Sequence, residues 1–425
     1  MRKAEINALL RLLLESGDRI SDLNFTPGKP AQVESDGELK FPFVDPPLPE
    51  LTPFMTEQVA LSLLEQRPTL MRKLLATGAC DFAYSVPGLA RFRVNVFSQR
   101  GTWSIVLRRL ATRIPGIHDL VLPAAFERMA RLRDGLVLVT GGPGTGKSTT
   151  LAALLNEVNL HRPVHIVTLE DPIEFLHKHQ IGTVNQRELG TDFDCFANGL
   201  RAALRQGPRV IVVGELRDRE TVETALSAAE TGHLVLSTMQ TVNAGQTIER
   251  LVSLFPAAEQ QRQRNRLASA IRYVAAQCLV PKVDGGRVAA LEVLASNFRT
   301  QDLIRTGETT EKTFYKAMTD GFKQGMQTFD QHLITLLEAG FIDEATCRHY
   351  FSGRVEVAHQ IDRISHGAPG LPPAVAVPAT GAPAPAASSA GEVAPPRPPA
   401  PPSQPPDAAA DLKVDFTFGR KRHGR

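Results

Sequence analysis

A glycine-rich segment constrains the fold of this 425-residue chain more than any other feature. The segment reads GGPGTGKS, follows a short apolar run at residues 136–140, and precedes a helical pattern that begins near Lys147. It satisfies the pattern G-x-x-x-x-G-K-S/T, in which backbone N–H groups approach phosphates, the lysine reaches the β- and γ-oxygens, and the serine hydroxyl ligates Mg²⁺. A chance glycine-rich turn would need neither the strand before it nor the helix after it, so we predict a nucleotide-binding loop. Its predicted binding residues are Gly141, Gly142, Pro143, Gly144, Thr145, Gly146, Lys147, Ser148 and Thr149, with Ser148 also a metal ligand.

Short apolar runs alternate with helical patterns around and after this loop. The runs predicted as strands are residues 136–140, 165–170, 210–215 and 233–239. The helices between them are predicted to begin near Lys147, Phe196 and Glu220. Such alternation predicts an α/β domain, with helices on both faces of a parallel sheet, over residues 135–255.

Three carboxylates cluster where the second of these strands ends, in the segment TLEDPIEF at residues 168–175. They belong to Glu170, Asp171 and Glu174, and sheets of this kind bind their ligands outside the carboxyl ends of the strands. A carboxylate there can orient and partly deprotonate an attacking water, which the glycine-rich loop cannot do alone. The alternative is an acidic loop that only caps a helix, and the residues alone leave both interpretations open.

The next strand ends in a charged segment, RVIVVGELRD, at residues 209–218. Glu215 stands there in place of the aspartate that holds Mg²⁺ in many nucleotide hydrolases, and a glutamate has the reach to serve the metal through water. The segment AAETGHLVLSTMQT then puts His233 at the start of a strand and Gln240 at its end. A lone histidine is often structural, so the residue type alone does not assign His233 a function.

The flanking regions differ in character from the sheet domain. Residues 1–112 mix helical and strand patterns, 113–134 read as a linker and a helix, and 256–366 read as a helical carboxyl-terminal part. Residues 367–425 are predicted to be a disordered tail, because 367–410 contain 14 Pro and 14 Ala, and so little large apolar surface cannot offset the entropy of ordering. Alternating apolar residues return at 412–418, where the tail could add a strand to a partner's sheet edge.

Charge, cysteines and hydropathy narrow the function classes. The net charge of +3 comes from 48 basic and 45 acidic side chains, which is too balanced to indicate a nucleic-acid footprint, so no nucleic-acid partner is expected. The cysteines form no C-x-x-C pair and suit a reducing compartment. The leucine-rich start of the chain places Ile6, Leu9, Leu10 and Leu13 on one helical face, as in an amphipathic helix. No apolar run reaches membrane-spanning length, so we expect a cytoplasmic protein that is peripheral at the inner membrane through partners.

Several segments taken together resemble the secretion ATPase superfamily of type II secretion and type IV pili. They are the glycine-rich loop, EDPIE, VNQRE at residues 184–188, VGELRD and AETGH, in this order. GLARFRVNVFSQRG, TRIPG and GMQTFDQ are similar to its pilus-retraction branch, PilT and PilU. The resemblance runs from about residue 5 to residue 352 and leaves out only the Pro/Ala-rich tail.

The resemblance implies a hexameric ring whose subunits have a PAS-like amino-terminal domain and a RecA-like P-loop NTPase domain, with ATP between them. It implies that Glu174 is the catalytic glutamate, that Glu215 occupies an atypical Walker B position, and that His233 lies near the γ-phosphate. The arginines that the amino-terminal domain supplies to the nucleotide would be Arg93, Arg108 and Arg113. The implied partners are further copies of the chain, an inner-membrane pilus platform protein and a paralogous motor ATPase.

The expected function is therefore an ATP-hydrolysing motor that powers pilus retraction and twitching motility. An accessory PilU-like subunit is an alternative, because Met239-Gln240-Thr241 stands where relatives usually have Leu-His-Thr. A pilus-assembly or type II secretion ATPase is another alternative, although those proteins typically carry a four-cysteine metal site. A nucleic-acid translocase would need a basic channel, and the arginines at 262, 264, 266 and 272 are more simply a solvated or inter-subunit face.

Overall fold

The structure is a computed structural model that describes residues 2–18, 20–35, 37–65, 67–110 and 113–365. The predicted disordered tail, including the alternation at residues 412–418, lies outside these residues.

The amino-terminal domain is an antiparallel sheet with helices packed against it. Within the described residues its six strands follow the order β3-β2-β1-β6-β5-β4. The elements are α1 (Lys3–Glu15), β1 (Ile20–Phe25), β2 (Gln32–Ser35), β3 (Glu38–Lys40), α2 (Pro53–Leu64), α3 (Pro68–Thr77), β4 (Ala79–Val86), β5 (Ala90–Gln99) and β6 (Thr102–Leu110). The predicted amphipathic helix is confirmed, since Ile6, Leu10 and Leu13 on α1 are fully buried. The helix predicted in the linker is α4 (Ala125–Ala130).

The second domain is built on a mostly parallel sheet. Over the described residues this sheet has seven strands in the order β13-β12-β7-β11-β10-β8-β9. The elements are β7 (Gly135–Thr140), α5 (Lys147–His161), β8 (His165–Glu170), β9 (Thr183–Glu188), α6 (Phe196–Leu204), β10 (Val210–Val213), α7 (Arg219–Glu230), β11 (Leu234–Met239), α8 (Ala244–Ser253), α9 (Ala257–Ala270), β12 (Ile271–Pro281) and β13 (Arg287–Ala295). Leu136 and Leu138 pack in one buried cluster and Val137 and Val139 in another, which confirms the predicted helical layers on both faces.

The predicted boundary of this domain at residue 255 is corrected by the structure. Strand β12 pairs in parallel with β7, and β13 pairs antiparallel with β12, so the sheet extends to Ala295. The helical pattern predicted for this region missed both strands, because Arg272, Gln277 and Cys278 interrupt the apolar residues of β12. The helical part begins only after the sheet, with α10 (Phe298–Thr306), α11 (Phe314–Asp320), α12 (Phe329–Glu338), α13 (Glu344–Tyr350) and α14 (Val355–Ser365).

The segment GMQTFDQ joins these helices to the edge of the sheet. The backbone of Gln327 pairs with that of Val293 in both directions, at 2.8 and 3.0 Å. Asp330 is 3% exposed and accepts hydrogen bonds from the backbone N–H and the hydroxyl of Ser352 at 2.8 and 2.6 Å. The buried Asp330 carboxylate thus holds Ser352, which follows α13, against the start of α12.

No helix within the part of the chain that the structure describes is long and apolar enough to span a bilayer.

Candidate functional site

The glycine-rich loop joins the carboxyl end of β7 to the start of α5. Gly144 and Gly146 have φ values of 75° and 85°, which side chains other than glycine rarely adopt. The ammonium group of Lys147 donates a hydrogen bond to the carbonyl oxygen of Gly142 at 2.8 Å. Burial lowers the pKa of Lys147, while Glu215 and then Glu174 act in the opposite direction. The lysine thus lies beside two carboxylates and against the loop that it serves.

Gln277 supports this loop from behind, and the sequence analysis missed it. Its side-chain amide donates to the carbonyl oxygen of Thr145 at 2.6 Å and accepts from the Thr150 hydroxyl at 2.8 Å. A Cβ atom built on Gly141 would lie only 2.4 Å from the Gln277 carbonyl oxygen, so the loop and β12 are in close backbone contact. Gln277 is 3% exposed, and a buried amide needs such partners. The sequence signal that could have identified Gln277 is a single glutamine among the mostly apolar residues 273–280.

The acidic segment begins at Glu170, the last residue of β8, and two hydrogen bonds hold the carboxylate of this residue in place. The Thr168 hydroxyl and the Gln186 amide donate to Glu170 Oε1 at 2.6 and 2.9 Å. Burial raises the pKa of Glu170, and these two hydrogen bonds only partly oppose it. These hydrogen bonds hold the Glu170 carboxylate at the end of β8, and Gln186 of VNQRE helps to set its geometry.

Glu174 lies further along the same segment and faces the amino-terminal domain. Arg93 Nη1, from β5, is 4.0 Å from Glu174 Oε1, and the Glu174 side chain is about one-third exposed. This exposure leaves a carboxylate oxygen accessible to water while a cation stands beside it. Of the three arginines expected at the nucleotide, Arg93 is the one that lines the cavity beside the glycine-rich loop and the acidic segment.

Glu215 follows β10 and is held by two neighbours. Arg217 Nη2 lies 2.7 Å from Glu215 Oε2, and the Gln240 side-chain amide donates to the same oxygen at 3.3 Å. Gln240 comes directly after β11, whose Thr238 hydroxyl donates to the Gly214 carbonyl oxygen at 2.6 Å. The ends of β10 and β11 are thereby fixed to each other, and the sequence analysis did not identify Arg217 as part of this arrangement.

These strand ends enclose one cavity of about 280 Å³. The polar side chains that line it include those of Arg93, Lys147, Ser148, Glu170, Asp171, Glu174, Glu215, Arg217 and Gln240. A phosphate-binding loop, accessible carboxylates and an arginine from a second domain are the parts that nucleotide hydrolysis requires. The structure brings together these parts, which the sequence placed on separate strands.

The donor set of this cavity fits Mg²⁺ only in combination with a phosphorylated ligand. No cluster of three or more His, Cys, Asp or Glu that could hold a metal occurs among the residues the structure describes. The Ser148 hydroxyl and the Glu215 carboxylate do line the same cavity. Mg²⁺ characteristically takes one or two protein oxygens and completes its shell with water and substrate phosphates, and this site matches that pattern.

The expected placement of His233 beside the γ-phosphate is corrected by the structure. His233 precedes β11, and its Nδ1 lies 3.1 Å from the Ala228 carbonyl oxygen at the end of α7. Because β11 runs parallel to β7, the start of β11 lies at the sheet edge opposite the glycine-rich loop. Gln240 is a full strand length away, roughly 20 Å at the usual rise per residue. His233 therefore connects a helix end to a strand start in this chain.

Arg108 and Arg113 also lie apart from this cavity. Arg108 Nε donates to Asp22 Oδ1 at 2.9 Å, and Arg113 Nη2 donates to Asp119 Oδ2 at 3.3 Å. Their side chains are 69% and 86% exposed, and neither residue lines the cavity. Within this chain, neither arginine is placed to contact a ligand in the cavity.

Comparison with known proteins finds similar sequences over most of the chain. The family described as Type II/IV secretion system protein matches residues 61–287. The chain is 42% identical over 340 residues to the type IV pilus ATPase PilU of Pseudomonas aeruginosa, covering 80% of this chain and 86% of PilU. It is 39% identical over 348 residues to the type IV pilus retraction ATPase PilT of the same organism, covering 81% of this chain and 97% of PilT.

A crystal structure of the pilus retraction motor PilT with bound ADP has a similar fold. The TM-score is 0.73 at 40% sequence identity, over 83% of this chain and 99% of that one. The likeness confirms the expected α/β fold class, with a PAS-like amino-terminal domain followed by a RecA-like P-loop NTPase domain.

Proposed function

The chain belongs to the Type II/IV secretion system protein family, and on that premise we propose that it is a P-loop ATPase of the pilus-retraction branch, a motor that powers pilus retraction and twitching motility. The observation that supports this most is the cavity in which Lys147, Glu174 and Glu215 meet. A binding module without turnover would have no need for both carboxylates beside the phosphate-binding loop.

The proposed chemistry follows from the placement of each group. The loop N–H groups and Lys147 bind the β- and γ-phosphates of ATP, and Arg93 neutralises charge from the amino-terminal side. Glu174 orients a water and accepts its proton as the water oxygen bonds to the γ-phosphorus; the bond from that phosphorus to the bridging oxygen breaks, and ADP departs with the electron pair. Ser148 and Glu215 would hold a Mg²⁺ ion, which would supply positive charge at the phosphate oxygens.

Glu170 supports this reaction without meeting the phosphate. Its hydrogen bonds from Thr168 and Gln186 fix the end of β8, from which the segment carrying Glu174 departs. Since displacements of about 1 Å at a reacting group can cost roughly 100-fold in rate, this support has a catalytic consequence.

The proposed assembly is a homohexamer at the cytoplasmic face of the inner membrane. Its partners would be the inner-membrane pilus platform protein and a paralogous motor ATPase. In such an assembly Arg108 and Arg113, which are exposed and lie outside the cavity of their own chain, would serve a neighbouring subunit's nucleotide.

An accessory role beside a second motor is favoured by one specific observation. Gln240 meets Glu215 in the cavity, at the position where relatives usually have a histidine. Glutamine keeps a neutral donor but cannot become cationic near neutral pH, so the subunit is expected to be slow.

Phosphate release and oligomeric mass, measured on the purified full chain, test the proposal. A hexamer that releases phosphate from ATP supports the motor. A chain that binds ATP, shows no turnover alone and accelerates a paralogous retraction ATPase in a mixed ring supports the accessory role. A chain that neither binds ATP nor alters such a partner contradicts both.

A further inference from the structure

We propose that Glu188 and Arg91 form an interdomain bridge that positions the segment carrying Glu174, so that the amino-terminal domain sets the catalytic geometry within its own chain. Glu188 is the last residue of VNQRE and ends β9, whereas Arg91 lies on β5 of the other domain. The inference rests on the proposed hydrolysis of ATP and assigns both residues a positioning role.

Glu188 and Arg91 bind each other and also bind backbone groups on both sides of the domain boundary. Glu188 Oε2 accepts from the backbone N–H of Ile173 at 3.2 Å and from Arg91 Nη2 at 3.3 Å. Its other oxygen, Oε1, accepts from the backbone N–H of Ala83 on β4 at 3.2 Å. Arg91 Nε in turn donates to the carbonyl oxygen of Ile173 at 3.2 Å. Both polar groups of the Ile173 backbone are therefore held by this one ion pair.

The position of Ile173 gives these contacts their consequence. Ile173 directly precedes Glu174, so fixing its N–H and C=O restricts the backbone from which the catalytic carboxylate projects. Arg93 lies two residues after Arg91, on the same face of β5, and stands 4.0 Å from Glu174 itself. Two arginines of β5, Arg91 and Arg93, therefore contact consecutive residues of the acidic segment, Ile173 and Glu174.

Both side chains of the bridge are largely buried, which makes Arg91 and Glu188 depend on each other as partners. The side chains of Arg91 and Glu188 are 15% and 8% exposed. Arg91 Nη1 also donates to Ser85 Oγ at 2.8 Å, and the Glu188 backbone N–H donates to Asp192 Oδ2 at 2.7 Å, so the geometry of both partners is constrained. A desolvated ion pair of this kind contributes little net stability but strongly disfavours arrangements in which one partner is left unpaired. A shift of the amino-terminal domain would then have to move Ile173 with it or break the pair.

The test uses the full chain with Glu188→Gln, Arg91→Met and the double variant. Glutamine keeps an oxygen for the backbone donors, and the double variant leaves no unpaired charge. We expect kcat for ATP to fall roughly tenfold or more in each single variant, with the affinity for ADP within about twofold of the parent. The double variant should regain thermal stability yet remain as slow as the slower single variant, because positioning and not charge balance is lost.

Hydrogen exchange of the backbone amides at residues 171–175 gives a readout independent of turnover. It should accelerate in the double variant and stay at the parent's rate in Arg299→Met, which breaks an ion pair with Asp320 far from this segment. Unchanged exchange, or a parent-like kcat in the variants, overturns the bridge while leaving the proposed function intact. A parent chain with no turnover, but with accelerated exchange in the double variant, overturns the proposed hydrolysis of ATP by this chain and retains the bridge.

Discussion

Replacing Gln277 with methionine should weaken nucleotide binding, although Gln277 does not line the cavity. Methionine has a similar volume and flexibility, so the change removes the hydrogen bonds without leaving a large void. Two groups then lose their partner, the Thr150 hydroxyl and the Thr145 carbonyl oxygen. Each buried group left unpaired costs about 1 to 3 kcal/mol.

The structure indicates how this cost is divided. The Thr150 hydroxyl can turn to a carbonyl of the preceding turn of α5, which recovers most of its share. The Thr145 carbonyl oxygen lies in the glycine-rich loop and can regain a partner only if the loop shifts towards water. Nucleotide binding must reverse that shift, so we expect a loss of about 1.4 kcal/mol in binding, which raises Kd for ADP roughly tenfold.

The assay is a titration with a fluorescent ADP analogue, together with urea unfolding. Gln327→Met is the matched control, since the Gln327 amide donates to the Leu291 carbonyl oxygen at 3.0 Å in the carboxyl-terminal part. Both variants should lose stability, but only Gln277→Met should lose affinity. Adding Thr150→Val to Gln277→Met should restore part of the stability and none of the affinity. Equal ADP affinity in the two single variants would show that Gln277 does not support the nucleotide-binding loop.

Three further predictions concern other parts of the chain. Gln240→His should raise the ATPase rate up to roughly tenfold and make it pH-dependent between about pH 6 and 8, because a histidine near Glu215 can become cationic; identical steady-state profiles would leave Gln240 a packing residue. Removal of residues 367–425 should leave hexamer assembly and the ATPase rate nearly unchanged, and a truncated chain that fails to assemble would contradict the view of this segment as a tether. Burial raises the pKa of Glu292 to about 7 from 4.5, so the folded state binds the extra proton and this residue's contribution to stability declines as pH rises from about 4.5 to 7. Glu292→Gln should therefore gain stability relative to the parent by up to roughly 3 kcal/mol between pH 5 and 8 in urea unfolding, and a constant difference would contradict this.

The strands at the centre of the second sheet could be predicted because each contains a short apolar run, such as residues 136–139 in β7 and 210–213 in β10. The predicted strand at residues 165–170 has the observed bounds, and those at β7, β10 and β11 differ by a residue or two. Strand β9 reads TVNQRE and gave no such signal, since among the described residues it pairs with β8 alone and uses its polar side chains for contacts. Gln186 and Glu188 show why a polar strand can be well ordered: their partners come from other elements.

The residues of the site that follow strand ends could be predicted from the order of strands and helices along the chain. Glu174, Glu215 and Lys147 follow the carboxyl ends of parallel strands, which meet at one edge of a sheet. The same rule applied to His233, at the start of its strand, places it at the opposite edge, where the structure has it. Gln277 and Arg91 act through partners 127 and 82 residues away in the chain, and no local pattern encodes such contacts.

Nucleotide binding and phosphate release, measured separately in Glu174→Gln and Lys147→Ala, distinguish the catalytic carboxylate from the phosphate-binding loop. Glu174→Gln should bind ATP as tightly as the parent but release no phosphate, because the group that accepts the proton of water is missing while the phosphate-binding loop is intact. Lys147→Ala should lose tight binding, since the loop itself loses its cation. Normal phosphate release by Glu174→Gln, in a preparation in which Lys147→Ala is inactive, would contradict the account.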